Sequence, residues 1–453
     1  MSSLKKQKEA FVTGLDGTTP QELLLICSSP AIGLWLFQYF PTGSSQWKSI
    51  LAEAVTFWIP MILCQTKYLF PWGAAYLATE VFVAASCEIG RACMPSSARD
   101  TITRSSDGSD DGKLGYLTVY RSALMYLTFV AILAVDFHVF PRRFVKTEET
   151  GYSLMDLGAA SFVIAAGLVS PRARSKKQNT RITWKRYATR LLPLVLMGSL
   201  RLVTHKELDY QLHSSEYGVH WNFFFTLAAL VPVAATLPGP SWIVPVLIIG
   251  AYQYFLSEKG LQEWVVDAPR SCESAPDNLV CNLFVANREG VLGCIGYGIL
   301  YLMSEWIGYR FVWFANSHFA PVYGGLFTCV VALFALWLLL LTTGIPVSRR
   351  TTNIVFLVWS LLVNMMQLTG IQYAWTRANK VPTVLLAVNR HGLLTFILAN
   401  LLTGAVNLLI NTLEVSDSMA LFVLFVYVSV VGIVAMLIDG LAKRVWRIKG
   451  KQD

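Results

Sequence analysis

Charge is scarce in this sequence. Only 14% of its 453 residues are Asp, Glu, Lys or Arg, against roughly 25% in an average soluble domain, which excludes a soluble enzyme. A 54% share of hydrophobic residues also excludes a disordered chain, which needs low hydrophobicity and high net charge. The short alternating segments of a membrane barrel are missing. The apolar blocks are long and unbroken instead, and they recur along the whole length, which excludes a single-span receptor. Also missing are CxxC pairs, zinc-ligand spacings, RNA-binding motifs, a Walker loop, a GxGxxG unit with its acid, an HExxH helix and Ser-His-Asp spacing. No metal site and no permanently bound cofactor is therefore expected. Any chemistry has to be assembled from several helices.

What is present reads as an all-α polytopic membrane protein, a single multi-span domain over residues 1–453 with about 13 transmembrane helices of about 20 residues each. Their centres fall near Ile32, Phe57, Ala78, Phe129, Phe162, Leu194, Ala228, Ile248, Tyr297, Val331, Leu357, Phe396 and Tyr427. No internal repeat is visible. The start, MSSLKKQKEAFVTGLDGTTPQE, is polar and the first apolar run begins near Leu23, so no cleavable signal peptide is expected and that run reads as the first span.

Basic residues number 37 and acidic ones 28, a net charge of +9. They gather in loops, where membrane orientation explains them better than nucleic acid does. The loop 171–190 holds eight Lys and Arg with no acid, and the tail 441–453 is again basic. Both should be cytoplasmic by the positive-inside rule. Eight spans between them keep them on one side. The N-terminus then faces the lumen. The Ser/Asp/Gly-rich loop 91–113 reads as a mobile cytoplasmic segment, and 257–289 as a luminal loop. Of the eight cysteines, only Cys272 and Cys281 share an extramembrane loop. An oxidising lumen would join them; the alternative is two free thiols.

The fourth span ends in AILAVDFHVFPRRFVK. Asp136 stands there beside an apolar run, and Lys146 follows ten positions later. An ionisable residue at membrane depth is a functional hypothesis by default. A carboxylate with a nearby Lys suits a general base with an electrostatic partner; an interfacial ion pair seating the span is the structural alternative. Asp156 and Arg201 are both placed near the luminal face and read best as a structural pair. His220, Trp221 and Asn222 open the seventh span, where His220 is either a base or alcohol ligand, or a helix-start residue. Arg288 suits phosphate recognition through its planar fork, or belongs to a helix-start charge cluster with Glu289. Arg349 and Arg350 in PVSRR carry the same two readings. Asn400, Thr403, Gly404 and Asn407 form a small-polar stripe of the kind that packs helices.

Several segments carry a resemblance. MSSLKKQKEAFVTGLDGTT, AILAVDFHVFPRRFVKTEETGYSLMDLG, EYGVHWNFFFTL, ANREGVLGCIGY, PVSRR and LANLLTGAVNL stand in the order seen in the eukaryotic inositol acyltransferases of GPI-anchor biosynthesis, the PIG-W proteins of animals and their fungal wall-transfer counterparts. The chain resembles them from its first residues to its last span, and departs at Val145 and His138, where relatives often have Ala and Pro. The resemblance implies transfer of a fatty acyl group, typically palmitoyl, from acyl-CoA as co-substrate to the inositol 2-hydroxyl of glucosaminyl-phosphatidylinositol among ER membrane lipids. It implies that Asp136 and Lys146 carry the chemistry. Arg142, Arg143 and Arg288 are expected to hold phosphates, with His220 and Asn222 as further substrate contacts. The final KGKQD resembles a cytosolic dilysine retrieval signal. A lipid transporter or scramblase, and a non-catalytic scaffold subunit, remain the rival classes.

Overall fold

In hydrocarbon every backbone N–H and C=O needs an internal partner, so long apolar blocks become helices. The computed structural model of the chain describes residues 15–41, 45–93, 115–175, 184–208, 217–237, 239–272, 277–314, 322–377 and 380–449. All thirteen expected centres fall on helices, and the described residues contain no β-strand beyond one isolated bridge. Among the described residues, nine helices are long and apolar enough to cross a membrane: Pro20–Phe37, Gln46–Cys64, Gly115–Ala134, Leu154–Arg174, Arg288–Trp313, Val322–Leu341, Ile354–Trp375, Gly392–Leu409 and Asp417–Arg444. Leu191–Leu202, Phe223–Pro232 and Ile243–Glu258 are apolar but shorter. The thirteenth centre lies on Ala74–Ala92, whose Glu80, Glu88 and Arg91 dilute its apolar character. The loop 91–113 lies almost wholly outside the described residues, as does the terminal KGKQD.

By its internal contacts the chain divides into two compact units, one of residues 1–18 and 145–364, the other of 19–144 and 365–453. The second is built around Gly115–Ala134, most of which is buried. Its neighbour Gln46–Cys64 is not regular. Residues Ala54–Trp58 form a wide turn in which Ile59 N–H donates five residues back, to the Ala54 carbonyl. In that register Pro60 would serve Val55, but proline has no N–H. The Tyr76 hydroxyl donates to the Val55 carbonyl instead, at 2.8 Å. Immediately before that turn the buried Glu53 carboxylate accepts the backbone N–H groups of Val384 and Leu385 at 3.0 to 3.1 Å. It thereby satisfies the free donors at the start of the Thr383–Arg390 helix.

The other unit packs Leu154–Leu168 against Arg288–Ile307. A buried ion pair ties its end: Glu305 accepts from Arg172 Nε at 3.1 Å and from the Ser170 hydroxyl at 2.7 Å. Arg172, expected in a solvated basic loop, is thus a structural residue within the short Pro171–Arg174 helix. The loop 257–289 is also more ordered than a loop. It contains the helices Leu261–Asp267 and Leu279–Ala286. Cys272 and Cys281 are joined in a disulfide with Cα atoms 5.8 Å apart, as the sequence suggested. Closing so short a loop is worth roughly 2–3 kcal/mol in chain entropy.

Candidate active site

The Gly115–Ala134 helix stops where its apolar run stops. Asp136 N–H donates to the Leu133 carbonyl at 3.2 Å and Phe137 N–H to that of Ala134 at 3.0 Å, so the last turn tightens and leaves Asp136 half-buried at the helix end. Phe137, Phe140 and Phe144 are buried and fix the FPRRF segment by its aromatic side chains. Arg142 folds that segment about itself. Its Nη2 donates to the carbonyls of Val135, Phe137 and Phe140 at 2.8, 3.3 and 3.1 Å. Burial lowers its pKa to about 10, and the attraction of Asp136 opposes the shift, so the guanidinium keeps its charge at neutral pH. Arg143 points elsewhere and grips Glu22 through two hydrogen bonds of 2.9 Å.

Asp136 has a partner that the sequence reading assigned to helix packing. Asn407 Nδ2 donates to Asp136 Oδ2 at 2.7 Å. Asn407 sits near the end of the Gly392–Leu409 helix, in the small-polar stripe. Of the stripe's other members, Thr403 reaches a neighbouring helix at the Tyr427 hydroxyl as well as bonding Ala399 of its own, Asn400 is exposed and donates to its own helix at Phe396, and Gly404 faces open space. The stripe of small and polar residues on one face was legible; which of them would meet a carboxylate was not. Beside this site Lys67 pairs with Asp417 at 2.6 Å, Tyr68 donates to the same carboxylate at 2.9 Å, and Lys67 N–H holds the Val139 carbonyl at 2.8 Å.

Lys146 belongs to the other compact unit, since the division falls between Phe144 and Val145. Its loop is braced from three sides. Thr147 donates to Asp156 Oδ2 through its N–H at 3.0 Å and its hydroxyl at 2.7 Å. Asp156 Oδ1 in turn meets Arg349 Nε at 2.6 Å, both side chains being buried. Asp156 was expected to pair with Arg201, which lies exposed on its own helix. On the second side Gly151 N–H donates to the Val347 carbonyl at 2.8 Å and Ser348 to that of Glu149 at 2.8 Å. On the third, Thr18 N–H donates to the Tyr152 carbonyl at 2.6 Å. Gly17 and Gly151 both have positive φ, 86° and 129°, which L side chains rarely adopt. A Cβ on Gly17 would stand 2.5 Å from the Tyr152 carbonyl and one on Gly151 2.3 Å from that of Asp16. The LDGTT, TGYSLMDLG and PVSRR segments are therefore parts of one support around Lys146.

The remaining candidates hold the fold in this structure. His220 is exposed and its backbone N–H donates to Asn287 Oδ1 at 2.7 Å. Asn222 caps the Phe223–Thr236 helix, accepting from Phe224 N–H at 3.1 Å and Phe225 N–H at 3.3 Å, while its Nδ2 donates to Gly198. Arg288 is only 1% exposed. Its fork donates to the carbonyls of Val265, Ala268 and Pro269 at 2.9, 2.6 and 2.9 Å, closing the carbonyl end of Leu261–Asp267. Glu289 sits between Arg270 at 2.7 Å and Arg350 at 3.0 Å. Among the described residues no group of three or more His, Cys, Asp or Glu is placed to hold a metal.

An all-helical multi-pass membrane protein with a braced carboxylate and a braced lysine, each at the end of an apolar helix or in the loop that follows, is the class these observations define. The family model of GWT1 matches residues 4–438, and the chain belongs to the GWT1 family. It is similar to the GPI-anchored wall transfer protein 1 of Aspergillus oryzae, 33% identical over 505 aligned residues that cover 97% of this chain and 98% of the relative. The protein of the same name from Candida albicans is 30% identical over 487 residues, again 97% and 98% of the two chains. That from Gibberella zeae is 32% identical over 505 residues, with the same coverage.

Proposed function

We propose that this chain is an acyltransferase of GPI-anchor biosynthesis. It moves a fatty acyl group, palmitoyl first among candidates, from acyl-CoA to the inositol 2-hydroxyl of glucosaminyl-phosphatidylinositol in the ER membrane. The observation that carries the reading is the full-length match to relatives named GPI-anchored wall transfer protein 1, together with Asp136 at the end of a membrane helix. An inositol hydroxyl is a weak nucleophile. Asp136 takes its proton as the oxygen attacks the thioester carbonyl. Lys146 supplies positive charge to the oxyanion that develops there. The carbon–sulfur bond then breaks, an ester remains on inositol, and the thiolate leaves with a proton as the free thiol. No acyl-enzyme is needed, which fits the missing nucleophile motif. The apolar faces of the spans hold the acyl chains, at about 0.8 kcal/mol per buried CH₂. Arg142, Arg143 and Arg288 are the proposed phosphate contacts, and His220 and Asn222 the further substrate contacts. In the present geometry Arg143 is the most accessible of the three arginines, and it would have to leave Glu22 to serve.

Purified protein given a defined acyl-CoA and glucosaminyl-phosphatidylinositol is expected to yield lipid heavier by one acyl group on the ring. Absence of product while the protein remains folded would leave the carrier and scaffold readings standing instead. The orientation proposed is a luminal N-terminus and a cytosolic C-terminus, from the matching charge of 171–190 and 441–453. In sealed microsomes, protease is expected to remove a C-terminal tag and spare an N-terminal one; a shielded C-terminal tag would overturn that orientation.

A further inference from the structure

The contact between Asp136 and Asn407 joins two stretches 271 positions apart, and it has a specific geometry. Both Nδ2 hydrogens of Asn407 have acceptors: one goes to Asp136 Oδ2 at 2.7 Å, the other to the Thr403 carbonyl of its own helix at 3.2 Å. The second bond fixes which way the amide faces. Turning the amide over would set its oxygen against a carboxylate and give up both bonds, so the donor is held toward Asp136 by the helix itself. Asn407 is an amide on a helix whose next two residues, Leu408 and Leu409, are exposed. Hydrogen bonding to its own turn alone would not require Asp136 to sit there.

We propose that Asn407 is a positioning residue for the acyl-transfer reaction. It anchors one oxygen of Asp136, so that the carboxylate presents a fixed face to the acceptor hydroxyl and remains ionised as the base. This rests on the reading of Asp136 as that base. A donor to the ionised form favours it over the protonated form, and a hydrogen bond to a charged group is stronger than one between neutral partners. The other charged and titratable groups at this end of the unit include Arg142 and Arg143, which follow Asp136 in the same loop, Glu22 paired with Arg143, His138, and the Lys67, Tyr68 and Asp417 cluster. None of them is altered in the variants below.

The test uses the full-length protein and the acyl-transfer assay, with kcat, KM and the pH profile of kcat measured per folded enzyme. Asn407→Ala is expected to lower kcat by about ten- to a hundredfold with KM little changed. The acid limb of the profile should move upward by about one pH unit. Asn407→Asp replaces the donor with a second carboxylate and should move the limb further in the same direction. Asn407→Gln keeps an amide and should recover part of the rate. In Asp136→Asn, adding Asn407→Ala should cause little further loss. A kcat and acid limb in Asn407→Ala and Asn407→Asp that match the unmodified protein would overturn the proposal. So would a loss seen only as less folded protein. Asp136→Asn, assayed alongside, separates the two levels: if it keeps near-normal transfer, the base assignment has failed; if it is inactive while the Asn407 variants are normal, only the positioning role has.

Discussion

Asp136→Asn is expected to lower acyl transfer by about 10²–10⁴-fold, the usual consequence of losing a general base. The substitution keeps size and shape, and an amide can still accept from Asn407 if it turns its oxygen that way, so the amount of folded protein should change little. Lys146→Ala is expected to lower turnover on the order of 10²–10³-fold, with a smaller effect on substrate binding, because charge on the thioester oxygen develops only as the bond forms. Lys146→Arg should not fully restore activity, since a planar fork does not replace a point charge at one oxygen. The double variant should lose far less than the product of the two single effects, as residues acting on one step are non-additive. A structural ion pair gives a different pattern: scarce single variants, and recovery when the two charges are exchanged. Steady-state transfer rates beside the folded fraction of each variant distinguish the two, and near-normal transfer by well-folded Asp136→Asn would sink the catalytic assignment.

The helices were legible because their signal is local. Twenty apolar residues declare a span wherever they occur, and even the shorter Phe223–Thr236 helix was visible in its run of aromatic and aliphatic residues. Asp136 stands out for the same reason, as a charge beside an apolar run, and Lys146 as the lysine ten positions after it. Partners were not. Asp156 was matched to Arg201 because both charges were placed near one face, whereas the fold brings it Arg349 from 193 positions further along. That distance in sequence carries no local mark. Arg288 carries two readings in the sequence, a phosphate ligand through its planar fork or a member of a helix-start charge cluster with Glu289. In the structure its fork closes a helix end, and the Leu261–Asp267 helix at that end lies in a stretch that reads as a loop. Asn407 was hidden by its company, being one of four small or polar residues on a face, of which Asn400 and Gly404 are exposed and Thr403 reaches the Tyr427 hydroxyl.

The second large effect is expected at Asp156, away from any reacting atom. Asp156 and Arg349 are 3% and 4% exposed in their side chains and 2.6 Å apart, so water does not screen them. Removing one partner of such a pair leaves a buried charge without compensation and costs about 3–5 kcal/mol, a large part of a typical total stability of about 5–15 kcal/mol. Asp156→Ala also takes away the acceptor that holds Thr147 by its N–H and hydroxyl, the residue next to Lys146. The expected outcome is a lower unfolding temperature in detergent and faster proteolysis, with transfer per folded molecule reduced as well because the Lys146 loop loses its clamp. Asp156→Asn keeps an oxygen for Thr147 but not the charge for Arg349, so it should lose stability while retaining more of the per-molecule rate than Asp156→Ala. Adding Arg349→Met to Asp156→Asn removes the stranded cation and should restore much of the stability, since an apolar replacement of a whole buried pair is often neutral or better. Thermal unfolding of the three variants decides the matter: unchanged stability in both single Asp156 variants, or no recovery in the double one, would show that the pair does not brace the loop.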